Sequence, residues 1–327
     1  MNKRPLAELR SAKEVGAEVL IVSSSFEDRC KSIATRIQDV AFSIVFENLN
    51  LKDYVRKNAL ELKELLNQSQ VIDVDASTEE PVSTADSFSE ALSRLPNSGK
   101  GLNMLVDIST FTHEQLLILL RILRLKVPEN RITFCYTGAD YCPATPDFRD
   151  RWLSKGVTEV RSVLGYAGEV LPSRGTHLII LVGYEHERAS ALIDGYEPEK
   201  ISLGYGKKGS ETATNEGGAN EYFKDLVRRV GATYGNVSEF EFPCDDAVKT
   251  MSMLDSLINS SQDYNKIVAP MNTKISTLGT AMSAMKNEEV QVCYAEVQQY
   301  NYHNYSIPKD YYYLFQLDEL VRTDQER

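Results

Sequence analysis

Two hydrophobic rhythms alternate along this chain. Short unbroken apolar runs, the pattern of strands buried on both faces, are each followed by a longer stretch with apolar residues at helical spacing. EVLIV (18–22) leads through SSSFEDR into CKSIATRIQDV, and FSIVF (42–46) leads into YVRKNALELKELLNQ. QVIDVDAS (70–77) leads into ADSFSEALSRL, and NMLVDISTFTH into EQLLILLRIL, before ITFCYTG (132–138) closes the series. The series then repeats. LIILV (178–182) leads through GYEHER into ASALIDGY, and KISLGY (200–205) into EYFKDLVRRVGATY. VSEFEFPCDD (237–246) leads into AVKTMSMLDSLINS, KIVAPMNT into KISTLGTAMSAM, and VQVCYAE (290–296) ends the second series.

Spacing argues that the second series copies the first. Arg29 precedes Tyr136 by 107 residues and Arg188 precedes Tyr294 by 106; each Tyr directly follows a Cys in the last strand of its series. Strands alternating with helices predict a mainly parallel sheet, with right-handed crossovers and helices on both faces. The expected fold class is α/β, with two tandem Rossmann-like parallel-sheet units from an internal duplication. RSVLGYAGEVLPSRG (161–175) is the expected join, giving a first unit over 1–165 and a second over 172–327. GYGKKGSETATNEGGAN (204–220) has no apolar period and reads as disordered or as a lid.

Composition narrows the use of such a fold. With 327 residues, 42% hydrophobic and 25% charged, the chain has the balance of a soluble globular protein. No apolar run approaches the roughly 18 residues of a membrane span. The start, MNKRPLAELRSAKEVG, lacks the apolar core of a secretory signal, so a cytoplasmic protein without a membrane partner is expected. The five cysteines are odd in number and show no CxxC spacing, which argues against zinc ribbons and disulfide frameworks. The net charge of −11, with basic residues scattered among acids, excludes bulk nucleic acid, which needs a basic stripe. A small anionic ligand in a local pocket needs only a few donors.

In an open parallel sheet, ligands bind beyond the carboxyl ends of the strands, where the strand order reverses. That points to the loops after the first and fourth strands of each unit: 23–29 and 107–113, then 183–188 and 269–274. Helix starts there offer unpaired N–H groups and a positive dipole end to a phosphate. The candidate ligand-binding residues of the first unit are Ser24, Ser25, Arg29, Asp107, Ser109, Thr110, Thr112 and His113. Those of the second are Tyr184, Glu185, Arg188, Asn272, Thr273 and Lys274. Plain structural uses compete: Ser109 or Thr110 as the N-cap of the following helix, with Glu114 in its first turn, and Arg29 and Arg188 as solvated surface arginines. EHER (185–188) lacks the second His of HExxH, and the four histidines show no metal-ligand spacing. GxSxG, GxxxxGK[ST] and a GxGxxG in the first loop are all missing, so no metal, no cofactor and no serine-hydrolase elbow is expected.

The fourth-strand segment resembles the signature of CRISPR-associated Rossmann-fold (CARF) domains, in which a strand runs into Asp-x-Thr-Gly-Gly-Thr-Lys and then a helix. Asp107, Ser109, Thr112 and His113 fall on the Asp, first Thr, second Thr and Lys places. In the second unit Thr273 and Lys274 fall on the Thr-Lys places, with Ala269 where the Asp stands. Thr110-Phe111 and Met271-Asn272 replace the paired glycines. Two such units in one chain are similar to the SAVED arrangement, a sensor of cyclic oligonucleotides in prokaryotic antiviral systems. The resemblance implies a cyclic oligonucleotide held by the loops after the first and fourth strands, and in some members slowly cleaved.

The expected function is a binding or sensor protein for a nucleotide-derived signal. Nearly the whole chain is taken up by the two units, so its output is expected through a separate effector protein or a homo-oligomer. Two other uses compete. One is an enzyme acting on nucleotides, with Glu27, Asp28, Asp107, Glu185 and Glu187 as candidate acids and bases. The other is a ligand-free scaffold in a defence complex, docking through the tyrosines of YNYHNYSIPKDYYYLF (300–315), a stretch that can equally pack against the second unit.

Overall fold

The computed structural model describes residues 3–48, 52–77, 79–142, 144–145, 151–207 and 219–316. The chain forms two compact units, one of residues 1–141 with 306–327 and one of residues 142–305.

In the first unit, β1 (Lys3–Pro5) and the short α1 (Ala12–Val15) precede the parallel series. The series is β2 (Val19–Ser23), β3 (Phe42–Asn48), α2 (Lys52–Leu65), β4 (Gln70–Ala76) and α3 (Pro81–Ser93), then β5 (Met104–Asp107), α4 (His113–Lys126) and β6 (Ile132–Tyr141). In the second unit, β7 (Ser154–Ser162) precedes β8 (Gly175–Leu181), α5 (His186–Tyr196), β9 (Lys200–Gly206) and α6 (Ala219–Thr233). Next come β10 (Val237–Phe242), α7 (Ala247–Asn259), β11 (Tyr264–Pro270), α8 (Lys274–Lys286) and β12 (Gln291–Tyr300). β13 (Ser306–Gln316) follows.

Among the described residues the sheets run β1-β13-β6-β5-β2-β3-β4 and β10-β9-β8-β11-β12-β7. Five consecutive strands of the first, β4-β3-β2-β5-β6, are parallel, as are β10-β9-β8-β11-β12 of the second. Numbered within its unit, each set reads 3-2-1-4-5. These are two Rossmann-like units. Their first strands are apolar on both faces because helices cover both: every residue of β2 and the last five of β8 are buried. Leu20, Val22, Val45, Leu62 and Leu105 build one core, and Leu178, Ile180, Leu192, Leu203 and Leu226 build the other. Among the described residues no helix is long and apolar enough to cross a membrane.

Three expectations need correction. Only 300–305 of the stretch 300–315 belongs to the second unit; from Ser306 it forms β13, which lies antiparallel between β6 and β1 of the first. Conversely β7, from the stretch expected in the first unit, pairs antiparallel with β12 of the second. The outer parallel strand of each unit therefore takes its antiparallel neighbour from chain beyond the expected boundary, and the join at 161–175 is not where the units divide. The helix expected over 30–40 is a single 3-10 turn (Asp28–Lys31) followed by irregular turns. Its β-branched Ile33, Thr35 and Ile37 favour a helix weakly, and Ile33 and Ile37 are fully buried in the core without one. Of the loop expected over 204–220, residues 208–218 lie outside the described residues; β9 reaches Gly206 and α6 begins at Ala219.

Candidate functional site

The 3-2-1-4-5 order makes β2 and β5 neighbours from which the crossovers depart in opposite directions, so their carboxyl ends mark the switch point of the first unit. The two loops there are stitched to each other and to the sheet. Thr110 Oγ1 donates to the Ser23 carbonyl at 2.7 Å, and Ser24 Oγ to the Phe46 carbonyl at 3.1 Å. Ser25 Oγ accepts from the Glu27 N–H at 3.2 Å. Ser109, fully buried, donates to Asp107 and accepts from the Thr137 N–H at 2.8 Å. The hydroxyls counted as ligand donors thus all have partners within the fold.

The N-cap of α4 is Thr112, not Ser109 or Thr110, and its partner at the third helical position is Gln115 rather than Glu114. Thr112 Oγ1 accepts from the Gln115 N–H at 3.1 Å while Gln115 Oε1 accepts from the Thr112 N–H at 3.3 Å, a reciprocal capping box. Thr112→Ala removes both halves of that exchange and is expected to lower stability by about 1 kcal/mol, read as the thermal midpoint against Thr112→Ser. An unchanged midpoint would show that His113, at the first helical position, and its neighbours hold the helix start without the cap.

Asp107 is sealed beneath this loop. Its Oδ1 accepts from the Ser109 N–H at 3.0 Å and from the Ser109 hydroxyl, but its Oδ2 has no hydrogen-bond partner. Loss of hydration pushes its pKa up from 3.8 to about 6, against the pull of the Ser109 bonds and of Arg29. The second unit has Ala269 in the corresponding strand and no such carboxyl.

Arg29 and Arg188 overturn the reading of solvated arginines: they are 2% and 5% exposed. Arg29 Nε pairs with Glu27 at 2.8 Å, and its Nη1 donates to the Thr137 carbonyl at 3.3 Å and to Tyr136 Oη at 3.4 Å. Glu27 also accepts from the Ser306 hydroxyl at the start of β13. The second unit repeats the set. Arg188 pairs with Glu185 at 2.7 Å, donates to the Ala295 carbonyl at 2.6 Å and lies 4.8 Å over the Tyr294 ring. Glu185 in turn accepts from the Ser154 hydroxyl at the start of β7. In register, Ser306 faces Tyr141 and Ser154 faces Tyr300, each the last residue of its unit's outer parallel strand. The 107- and 106-residue spacings are therefore contacts, and Glu-Arg pairs clamp the antiparallel strands. Burial alone would lower the arginine pKa values; Glu27 and Glu185, with the tyrosines, outweigh it and hold both guanidiniums charged.

At the switch point of the second unit the loops meet backbone to backbone. A Cβ on Gly183 would stand 2.2 Å from the Met271 carbonyl oxygen, so only glycine fits there. Asn272 Nδ2 donates to the Val182 carbonyl at 2.6 Å, and Thr273 caps α8 by accepting from the Ser276 N–H at 3.1 Å. Lys274 is the first residue of that helix and is partly exposed. A cleft of about 160 Å³ opens beside this point, lined by Tyr184–Arg188 of the β8–α5 loop and by Arg151–Val157 at the start of β7. Sequence reasoning found Tyr184, Glu185 and Arg188 of this cleft and missed Arg151, Trp152 and Lys155. The signal available was the lone tryptophan between two cations in RWLSK. Within the cleft, burial and then Arg229 lower the His186 pKa to about 4, leaving a neutral imidazole at neutral pH.

By fold the chain is an α/β protein of two Rossmann-like units, with polar loops at both switch points. By sequence no known protein family matches it, nor does any curated protein. Its fold is similar to that of a Type III CRISPR defence DNA nuclease activated by cyclic oligoadenylate. That match has a TM-score of 0.53 and 7% identity, and it covers 88% of this chain and 67% of that one. An N-terminal ketoreductase from a macrolactin assembly line aligns over 75% of this chain and 50% of its own, at 12% identity. Its TM-score of 0.23 is too low to speak for a common fold.

Proposed function

We propose that the chain is a sensor for a nucleotide-derived signal, a cyclic oligonucleotide, in a prokaryotic antiviral defence system. Its output passes to a separate effector protein or through assembly of further copies. The observation that carries this reading is the likeness in fold, over 88% of the chain, to a nuclease that cyclic oligoadenylate activates. The switch-point loops support it, because helix starts and a few cations are what a phosphate needs. The matching Glu-Arg-Tyr-Ser sets support a duplicated origin, which suits a ligand of repeated units. Among the candidate residues, Tyr184, Arg188, Asn272 and Lys274 of the second unit remain as ligand contacts in this reading, while the hydroxyls and Arg29 serve the fold.

The test is a melting panel with cyclic tri-, tetra- and hexa-adenylate and their linear counterparts. A cyclic ligand at about one hundred times its dissociation constant is expected to add about 2.7 kcal/mol of stability, and the linear forms much less. If no cyclic oligonucleotide moves the midpoint at millimolar concentration, the sensor reading fails. Analysing the same samples for linear products tests whether the protein also cleaves what it binds.

A further inference from the structure

The cleft of the second unit sets an aromatic wall against an uncapped helix start. One wall carries the half-buried ring of Trp152 with the Lys155 ammonium 4.4 Å from its centroid. Lys155 itself is exposed, so an incoming ring can displace the ammonium from the indole face. The other wall is the first turn of α5. Its N-cap, Glu185, makes no capping bond, because its carboxylate is engaged by Arg188 and Ser154. The caps of α4, α7 and α8, by contrast, all accept from their helices. A second, independent observation points to an anion: the Nε of Arg188, a residue that lines the cleft and is 5% exposed, has no hydrogen-bond partner. Three cations line the cleft against two carboxylates, a local excess of positive charge in a chain of net charge −11.

We infer that this cleft binds one nucleotide unit of the ligand, the base against Trp152 and the phosphate at the start of α5 beside Arg188 Nε, Arg151 and Lys155. The inference rests on the nucleotide reading above and gives that reading a location. The cleft is small, about 160 Å³, so at most one unit is seated here while the rest of a larger ligand lies outside. Among the described residues the first unit does not repeat these groups. Where β7 reads Ser154-Lys155-Gly156, β13 reads Ser306-Ile307-Pro308, and the helix start is a four-residue 3-10 turn. The stoichiometry is one such unit per chain.

Trp152 is the only tryptophan, so indole emission, excited apart from the tyrosines, reports on this cleft. The test titrates the full chain with 5′-AMP, adenosine, inorganic phosphate and cyclic tetra-adenylate, following both emission and melting midpoint. AMP and the cyclic ligand are expected to quench, adenosine to do so only at much higher concentration, and phosphate not at all. Lys155→Ala, an exposed change that leaves the fold intact, is expected to weaken quenching ligands by about tenfold, and Arg228→Ala, outside the cleft, to leave them unchanged. A cyclic ligand that raises the midpoint without altering emission, and binds Lys155→Ala as tightly, overturns the cleft and leaves the sensor reading standing. Quenching by AMP with no effect of any cyclic oligonucleotide supports the cleft and sinks the sensor. No quenching by any nucleotide overturns the cleft outright.

Discussion

Replacing Arg188 with alanine is expected to cost the fold about 3–5 kcal/mol, a large share of the roughly 5–15 kcal/mol that holds a typical domain together. The reason is what stays behind. Glu185, its side chain 8% exposed, would be left buried without its ion-pair partner, and the Ala295 carbonyl would lose its 2.6 Å donor. Arg29→Ala is expected to act alike through Glu27 and the Thr137 carbonyl. The exposed pair of Arg228 and Asp225, 79% and 68% exposed, is the control. Removing Arg228 should change stability by less than about 1 kcal/mol. Urea midpoints by circular dichroism compare the three variants. The paired change Arg188→Met with Glu185→Leu should restore much of the loss, since no unmatched charge remains. Equal midpoints for Arg188→Ala and Arg228→Ala would contradict a clamping role.

Stability is expected to fall as pH rises from about 4 to about 6, and Asp107→Asn to remove that fall. In the folded chain burial raises this carboxyl to about 6 from its ordinary 3.8, so folding favours its protonated form. Its contribution is fully present below the ordinary value and is lost as pH climbs through the folded value, an effect of about 3 kcal/mol. Asparagine keeps an acceptor for the Ser109 N–H and hydroxyl and carries no charge at any pH. Asp246, whose carboxyl is lowered despite burial by bonds from Lys249, acts in the opposite sense. The quantity to read is therefore the difference in melting midpoint between the two proteins across pH 4 to 7.5. Parallel curves would place Asp107 at its ordinary pKa and remove the case for a protonated carboxyl at the switch point.

The strand and helix series was legible because both-face burial writes unbroken apolar runs into β2 and β8, and one-face burial writes a helical period into α2 and α6. The Arg-to-Tyr spacing was legible too, though its meaning was not. Sequence shows that Arg29 and Tyr136 stand 107 residues apart, but whether an arginine faces water or a buried glutamate depends on what packs over it. β13 supplies that cover for Arg29 from far along the chain. The two antiparallel strands were unreadable for a related reason. β7 is an edge strand whose residues are all exposed or partly so, and it carries no apolar signal. β13 carries Pro308 and charged residues ahead of its tyrosines, which read as an interface or a tail. Thr112 took the cap over Ser109 because Ser109 was already committed to Asp107 and Thr137, a competition decided by the fold around it.

The two antiparallel strands also dictate an order of assembly during synthesis. A chain emerging from the ribosome has every parallel strand of the first unit once Tyr141 has left the exit tunnel. The partner that covers the free backbone edge of β6 is not made until residues 306–316. From Tyr141 until Ser306 is made, a bare edge and the buried Glu27–Arg29 charges wait without the Ser306 hydroxyl. The second unit carries its β7 ahead of it and can close as soon as β12 is complete. The later-encoded unit thus matures first. The nascent first unit is the natural client for a chaperone, since an unpaired strand edge is a template for aggregation.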